Sequence, residues 1–547
     1  PTPLNPRPPR FMSKRKMGGL DSPVVAHDTL PKRLSSKLAI PRSGSSQLLL
    51  NNNEVDQNAG YKFKTKIVCT LGPSSRDLDT LKKMLRHGMN VARFNFSHGS
   101  HEYHQETLDM LREASRATKI PCAVLLDTKG PEIRTGLLEG GQPVHLVMGE
   151  EVILSNEYHK EGNKNLILCS YPNLPRDVSP GCTILCADGS ITLKVLSCDV
   201  EKGIVKCRCE NNAKLGEKKN MNLPGVVVDL PTITEKDQDD LINWGVKNKV
   251  DIIAPSFVRK GSDVTFIRSV LGDAGKDIQI ISKVENNEGL DNFDDILRES
   301  DGIMVARGDL GMEIPMEKMF MVQKRMINLC NVAGKPVITA TQMLESMTMN
   351  PRPTRAEVTD VANAVLDGTD CVMLSGETAA GPYPVEAVKV MANVAIEAEA
   401  YIDYPELFQR LMKQMPVPMS TQESLASSAV RAAQKVQAKL IIVLSRTGLT
   451  ARLVAKYRPY QPVMMMCLPE GDTPKHFELA QAVCRSGLDC RGISPVVGTY
   501  NTNLKEQFVA ALSFARKAGM VKEGDNVVGL HKVEEDAIMK IVTVGNQ

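Results

Sequence analysis

Eight short apolar runs recur between residues 64 and 377: KTKIVCTL (64–71), NVARFNFS (90–97), CAVLLDT (122–128), DIIAPSF (251–257), QIISKVE (279–285), GIMVARG (302–308), PVITATQ (336–342) and CVMLSGE (371–377). Most are separated by stretches with apolar residues at helical spacing, such as DLDTLKKMLRHG and SDVTFIRSVLGDAG. Eight buried strands separated by helices predict an α/β fold, a (β/α)8 TIM barrel. Few other arrangements bury so many strands on both faces.

The alternation fails between the third and fourth runs. Residues 131–230 contain VHLVMGEEVILS and GCTILCADGSITLKVLSCDVEKGIVKCRCE, many glycines and almost no helical period. This predicts a small all-β domain inserted into a barrel loop. The barrel then spans 58–130 and 231–401. Residues 402–419 read as a Pro-containing junction. An open C-terminal α/β unit (402–547) follows, with a capping box at Ser420 and Glu423 and strands KLIIVLS, PVMMMC, NVVGLHK and MKIVTV. Met464–Met466 and the sole tryptophan, Trp244, read as packing residues.

Residues 1–57 are rich in Pro, Ser and basic residues, with neither period, and read as a disordered basic extension. An organelle transit peptide is the alternative, since acidic residues are scarce there. The whole chain is near charge balance at +3, so no nucleic-acid partner is expected. No apolar run reaches the ~18 residues of a membrane helix, so no membrane partner is expected either. The 13 cysteines form no CxxC pair, which fits reduced thiols. Five of them fall between 182 and 209, but their spacing and the lack of nearby histidines favour strand packing over a zinc site.

Barrel active sites sit at the C-terminal ends of the strands. Here those ends carry Arg93, Asn95 and Ser97, then Asp127 and Thr128, Lys283 and Glu285, Arg307, Gly308 and Asp309, Thr341 and Gln342, and Ser375 and Glu377. Residues i and i+2 on a strand share a face, so Lys283 and Glu285 project together, as do Arg93, Asn95 and Ser97. Such polar pairs are costly to bury without partners. A buried ion-pair network is the structural alternative, weakened by its recurrence at the same end of several strands. Glu285 and Asp309, without histidines, suit a hard divalent ion such as Mg2+ (or Mn2+). Lys283, Arg93 and Arg307 add cations, which suits an anionic phosphate or carboxylate substrate. Asn95, Ser97, Asp127 and Thr128 add oxygens with one formal charge, fit for a weakly charged ion.

The blocks MNVARFNFSHG, DTKGPEIRTG, IISKVENNEG, MVARGDLGMEIP, ATQMLESM, NPRPTRAEVTDVANAV and MLSGETAAGPYPVEAV closely resemble motifs of the pyruvate kinases. The resemblance covers residues 62–400 almost without gaps and continues more weakly to the end. It implies an inserted β-barrel lid, a regulatory C-terminal domain, a homotetramer and a cytoplasmic location. It also implies phosphoryl transfer from phosphoenolpyruvate to ADP, giving pyruvate and ATP as the last step of glycolysis. By resemblance, Glu285 and Asp309 hold the divalent metal, while Gly308, Asp309 and Thr341 bind the substrate carboxylate. Lys283 neutralises the phosphoryl group and nascent enolate, Arg93 grips the phosphoryl group, and Thr341 takes part in protonation. Asn95, His98, Arg134 and Lys219 match nucleotide-side positions, and Asp188 is a lid residue. Asn95, Ser97, Asp127 and Thr128 match a K+ site, and Glu132 marks the K+-requiring members.

The loop Ser445-Arg446-Thr447-Gly448-Leu449-Thr450 matches the family's sugar-phosphate effector loop, and a solvated turn is the alternative. The C-terminal stretch lacks the glycine-rich loop of members activated by fructose 1,6-bisphosphate. Two other readings fit the same residues: a Mg2+-dependent enolate-forming aldolase or lyase on a related barrel, and a non-catalytic paralogue.

Overall fold

The computed structural model describes residues 63–533 and 536–545. The reading of 1–57 as a disordered extension therefore lies outside the described residues, as does residue 58, where the barrel segment was expected to start.

Eight parallel strands close into a barrel: β1 (Lys66–Thr70), β2 (Met89–Asn95), β3 (Ala123–Asp127), β4 (Ile252–Ala254), β5 (Gln279–Val284), β6 (Gly302–Ala306), β7 (Val337–Ala340) and β8 (Cys371–Leu374), with β8 pairing back onto β1. Seven strands lie within the apolar runs, and β2 starts one residue ahead of its run, at Met89. Alternate residues do different jobs. Val68, Val91, Leu125, Ile252, Ile281, Met304 and Ile338 fill the barrel interior. Their neighbours Ile67, Ala92, Leu126, Ile253, Ile280, Val305 and Val337 face the surrounding helices. The first helix, Leu78–His87, shows how locally these helices are encoded. Asp77 caps it by accepting from the Thr80 amide (2.9 Å), Leu81, Met84 and Leu85 face the core, and Gly88 ends it at φ 118°.

Between β3 and β4 the chain forms a six-stranded sheet, Met221–Asn222, Thr183–Cys186, Ile191–Asp199, Ile204–Cys209, Glu151–Ser155 and Leu166–Leu168 in spatial order, plus two two-stranded sheets. Cys186, Cys207 and Cys209 are buried in its apolar core with Ile184, Leu193 and Val205.

The C-terminal sheet has five strands, in the order Ile493–Val497, Val463–Cys467, Leu440–Ser445, Asn526–Val533 and Asp536–Thr543. The first of these was not expected, because Pro495 interrupts its apolar pattern. At the sheet edge a proline removes no ladder hydrogen bond that the sheet needs. Met464–Met466 are buried, and Trp244 packs on Phe94 and Phe96. The junction contains a helix, Tyr404–Met412, with a proline in its first turn. The capping box at Ser420 forms only by half. Ser420 accepts from the Glu423 amide (3.2 Å), but the Glu423 carboxylate pairs with Lys456 and accepts from Tyr457 (2.9 Å). A tertiary ion pair outcompetes the local bond.

Candidate active site

The inward columns of the barrel run apolar at the bottom and polar at the mouth. Ile281 is followed on the same face by Lys283 and Glu285, Leu125 by Asp127, Val91 by Arg93 and Asn95, and Ile252 by Ala254 and Ser256. Closure of the sheet brings these columns together. Lys283 Nζ lies 3.0 Å from Asp127 Oδ1, 3.0 Å from Glu285 Oε1 and 2.8 Å from Ser256 Oγ. Arg93 Nε lies 2.6 Å from Asp127 Oδ2, and its Nη1 donates to Thr70 Oγ1 (2.9 Å).

Burial sets the electrostatics. It opposes a charged Lys283, but Asp127 and Glu285 outweigh it and hold the ammonium above the ordinary lysine range. Burial likewise opposes the Asp127 carboxylate, yet Arg93 and Lys283 keep it below the usual range. Asp309, on the helix Arg307–Glu313 that follows β6, behaves oppositely. Burial first, and the Glu285 charge second, push it up to about 7. Two carboxylates that feel each other's charge, one of them pushed toward protonation by burial and by the other, form an all-oxygen set that a hard divalent cation relieves.

Thr341 belongs by parity to the outer face of β7, yet it reaches the site. It sits at φ 68° and Gln342 at φ 54°, a left-handed pair that redirects the chain. Thr341 Oγ1 accepts from the Gly308 amide (2.7 Å) and donates to Ala340 O (2.6 Å). The amide expected to meet a substrate carboxylate is thus engaged by Thr341. Arg307 corrects an expectation. It does not add charge around the carboxylates. Its guanidinium donates to the Thr341 carbonyl (2.6 Å) and pairs with Asp360 (2.7 Å), bracing the strained turn.

Asn95 and Asp127 are register partners on β2 and β3. Asn95 Oδ1 accepts from the Ser97 amide (3.1 Å), and Thr128 Oγ1 accepts from the Ser256 amide (3.0 Å). Each of these oxygens keeps a second lone pair for a monovalent ion. His98 is exposed beside them. Arg134, at the root of the inserted domain, pairs with Glu132 (2.5 Å) and donates to Lys218 O (2.8 Å), next to exposed Lys219. Asp188 is exposed and accepts from Asn220 (2.8 Å). Ser445 and Thr447 are remote from the mouth in sequence and spend their hydroxyls within their own turn, on the Gly448 amide (2.9 Å) and the Leu449 amide (3.5 Å).

Sequence reading missed three contributors. Ser256 bridges Lys283, Asp127 (3.4 Å) and Thr128 O (2.6 Å). The signal was present, since Ser256 ends the fourth run as the other polar groups end theirs. Phe257 donates its amide to Glu285 Oε2 (2.5 Å) from φ 55°, and sequence carries no sign of that. Glu313 closes the far end of the Asp309 helix, where burial pushes it up to about 7. It lines a cavity of about 200 Å³ with Asp309, Asn222 and Phe257, between the inserted domain's return segment and the mouth.

A closed barrel with fixed cations, a metal-competent carboxylate pair and an inserted domain at its mouth is the architecture of a barrel phosphotransferase. The family model described as pyruvate kinase, barrel domain, matches residues 62–388, and that described as pyruvate kinase, alpha/beta domain, matches 423–542. The chain is 58% identical to the cytosolic pyruvate kinase isozyme of Nicotiana tabacum, over 90% of this chain and 99% of that one. It is 50% identical to the pyruvate kinase of Eimeria tenella, over 91% and 92% of the two chains. A crystal structure of a Cryptosporidium parvum pyruvate kinase superimposes with TM-score 0.83 at 46% identity, covering 89% of this chain and 97% of that one. The chain belongs to the pyruvate kinase family. It is a phosphotransferase acting on phosphoenolpyruvate and ADP, and the aldolase and non-catalytic readings are not favoured.

Proposed function

We propose that phosphoryl transfer is carried out by the groups converging at the barrel mouth, with Lys283 and Arg93 as its principal cations. The observation that carries this is the contact of Lys283 with both Asp127 and Glu285, which keeps an ammonium charged and fixed inside the barrel. Preorganised charge of this kind costs no reorganisation during reaction. Arg93, oriented by Asp127 and Thr70, grips the phosphoryl group. Lys283 stabilises negative charge on that group as it transfers and on the enolate left behind. The Gly308 amide and Thr341 Oγ1 exchange their mutual bond for the substrate carboxylate, and Thr341 passes a proton, through water, toward the enolate carbon.

Glu285 and Asp309 would hold Mg2+ (or Mn2+), which when bound supplies Lewis-acid charge at the substrate oxygens. Asn95, Ser97, Asp127 and Thr128 would hold K+, which supplies one more positive charge beside the phosphoryl group. Asn95, His98, Arg134 and Lys219 line the nucleotide side, and the inserted domain with Asp188 acts as a lid that excludes water.

The same reading includes a cytoplasmic location, since the tobacco and soybean relatives carry the name cytosolic isozyme. It includes a homotetramer, supported by exposed Met316, Phe320 and Met321 on one stretch of surface. Exposed Arg446 in the turn 445–450 supports a sugar-phosphate effector there. The central test is pyruvate formation with and without ADP. ADP-dependent turnover that is strongly reduced in Lys283→Met supports the assignment; turnover near wild type in that variant contradicts it.

A further inference from the structure

The inserted domain returns to the barrel through residues 222–230, and one barrel side chain holds that return. The guanidinium of Arg259 donates from Nη1 to Val228 O and from Nη2 to Leu230 O. A planar fork reaches both carbonyls, where an ammonium would sit on one. Arg259 itself has little freedom. Its amide donates to Asp263 Oδ2 (3.0 Å), and its carbonyl accepts from Asn292 Nδ2 (2.9 Å). Val258, just before it, is fully buried in the core between barrel and helices. One residue further back, Phe257 takes left-handed backbone at φ 55° and donates its amide to Glu285 Oε2 (2.5 Å). The other Glu285 oxygen lies 3.0 Å from Lys283 Nζ. The turn 257–259 therefore holds Glu285 at one end and the inserted domain at the other.

We propose that Arg259 is a positioning residue that ties the inserted domain's return segment to the turn holding Glu285, so that the lid's pose and the orientation of this carboxylate are set together. The inference rests on the reading of Glu285 as a ligand of the divalent cation. A bulky residue at positive φ, such as Phe257, costs free energy that surrounding contacts must offset. The fork on Val228 and Leu230 is one of those contacts. Without it the turn relaxes, and the Phe257 amide leaves Glu285. Outer-shell partners of a metal ligand are worth roughly 10–100-fold in metal affinity, and Arg259 acts one step further out, at the low end of that range. Such coupling is reciprocal: whatever the fork adds to metal affinity, the metal returns to the lid.

The test is Mn2+ binding to the full chain in K+ buffer without substrates, read from the electron paramagnetic resonance of the free ion. It is paired with amide hydrogen exchange over residues 222–230. Arg259→Ala is expected to weaken Mn2+ binding about tenfold and to speed exchange over that segment, which Mn2+ slows in the wild type. Arg259→Lys keeps the charge and loses the fork. It is the milder change, and it decides the matter should Arg259→Ala not fold. Weaker Mn2+ binding together with faster exchange in Arg259→Lys supports the tie. Faster exchange with Mn2+ affinity within about twofold of wild type overturns it, since the fork then holds the lid alone. Unchanged exchange overturns it too, since the fork then does not hold the lid. Glu285→Gln reports on the underlying reading. Loss of Mn2+ binding there keeps Glu285 on the metal, and unaltered binding removes that reading, and the tie with it, whatever Arg259→Lys does to exchange.

Discussion

The barrel mouth and the end of strand Leu440–Ser445 start from the same design: a fully buried parallel strand that ends in a hydroxyl and opens into a loop. Their outcomes differ. Ser256, after β4, donates to Thr128 O and meets Lys283 from another strand, whereas Ser445 accepts only from the amide three residues on, in its own turn. A closed sheet points successive strand ends at one axis, so their polar groups find each other. An open sheet points them along a line, and each loop satisfies itself. Convergence therefore comes from closure and not from residue type.

That contrast can be broken. The largest expected effect is Lys283→Met, which removes the central cation and should lower kcat by on the order of 10²–10³-fold; a purely structural lysine would instead lower the melting temperature with little change in turnover per folded molecule. Next, exchanging K+ for a large organic cation should suppress most activity, and rates that persist without any alkali metal would remove the ion from the set around Asp127. Ser256→Ala should lower kcat by about tenfold, the worth of one hydrogen bond to a charged group. Ser445→Ala, the same chemical change in the open sheet, should cost about 1 kcal/mol of stability with kcat unchanged. Equal kinetic effects at the two serines would erase the distinction.

A smaller effect sharpens the comparison between mouth and lid. Burial raises the Glu313 carboxyl from 4.5 to about 7, so the folded chain binds that proton more tightly than the unfolded chain. The resulting stability is present below about pH 4.5 and is lost as pH rises through about 7. Between pH 5 and 8 the melting temperature of the wild type should therefore fall more steeply than that of Glu313→Gln. Parallel slopes would show that the carboxyl titrates as it does in the unfolded chain.

The eight strands, the inserted β-rich segment and most of the mouth were legible in the sequence, because strand burial and the two-residue period are local properties. The i, i+2 pair of Lys283 and Glu285 followed from that period alone. Two kinds of feature were settled only in three dimensions. Thr341, Gln342 and Phe257 reach the site through left-handed backbone that no side-chain pattern announces. Arg307 was expected among the cations because it ends the sixth run, but it shares the outward parity of Val305, and Asp360 and the Thr341 carbonyl hold it. Glu423 is a further instance, leaving its capping box for Lys456. The chain's own order determined which residues line each inward column; the closed fold decided which charges meet, because pairing across strands depends on distances that sequence separation does not encode.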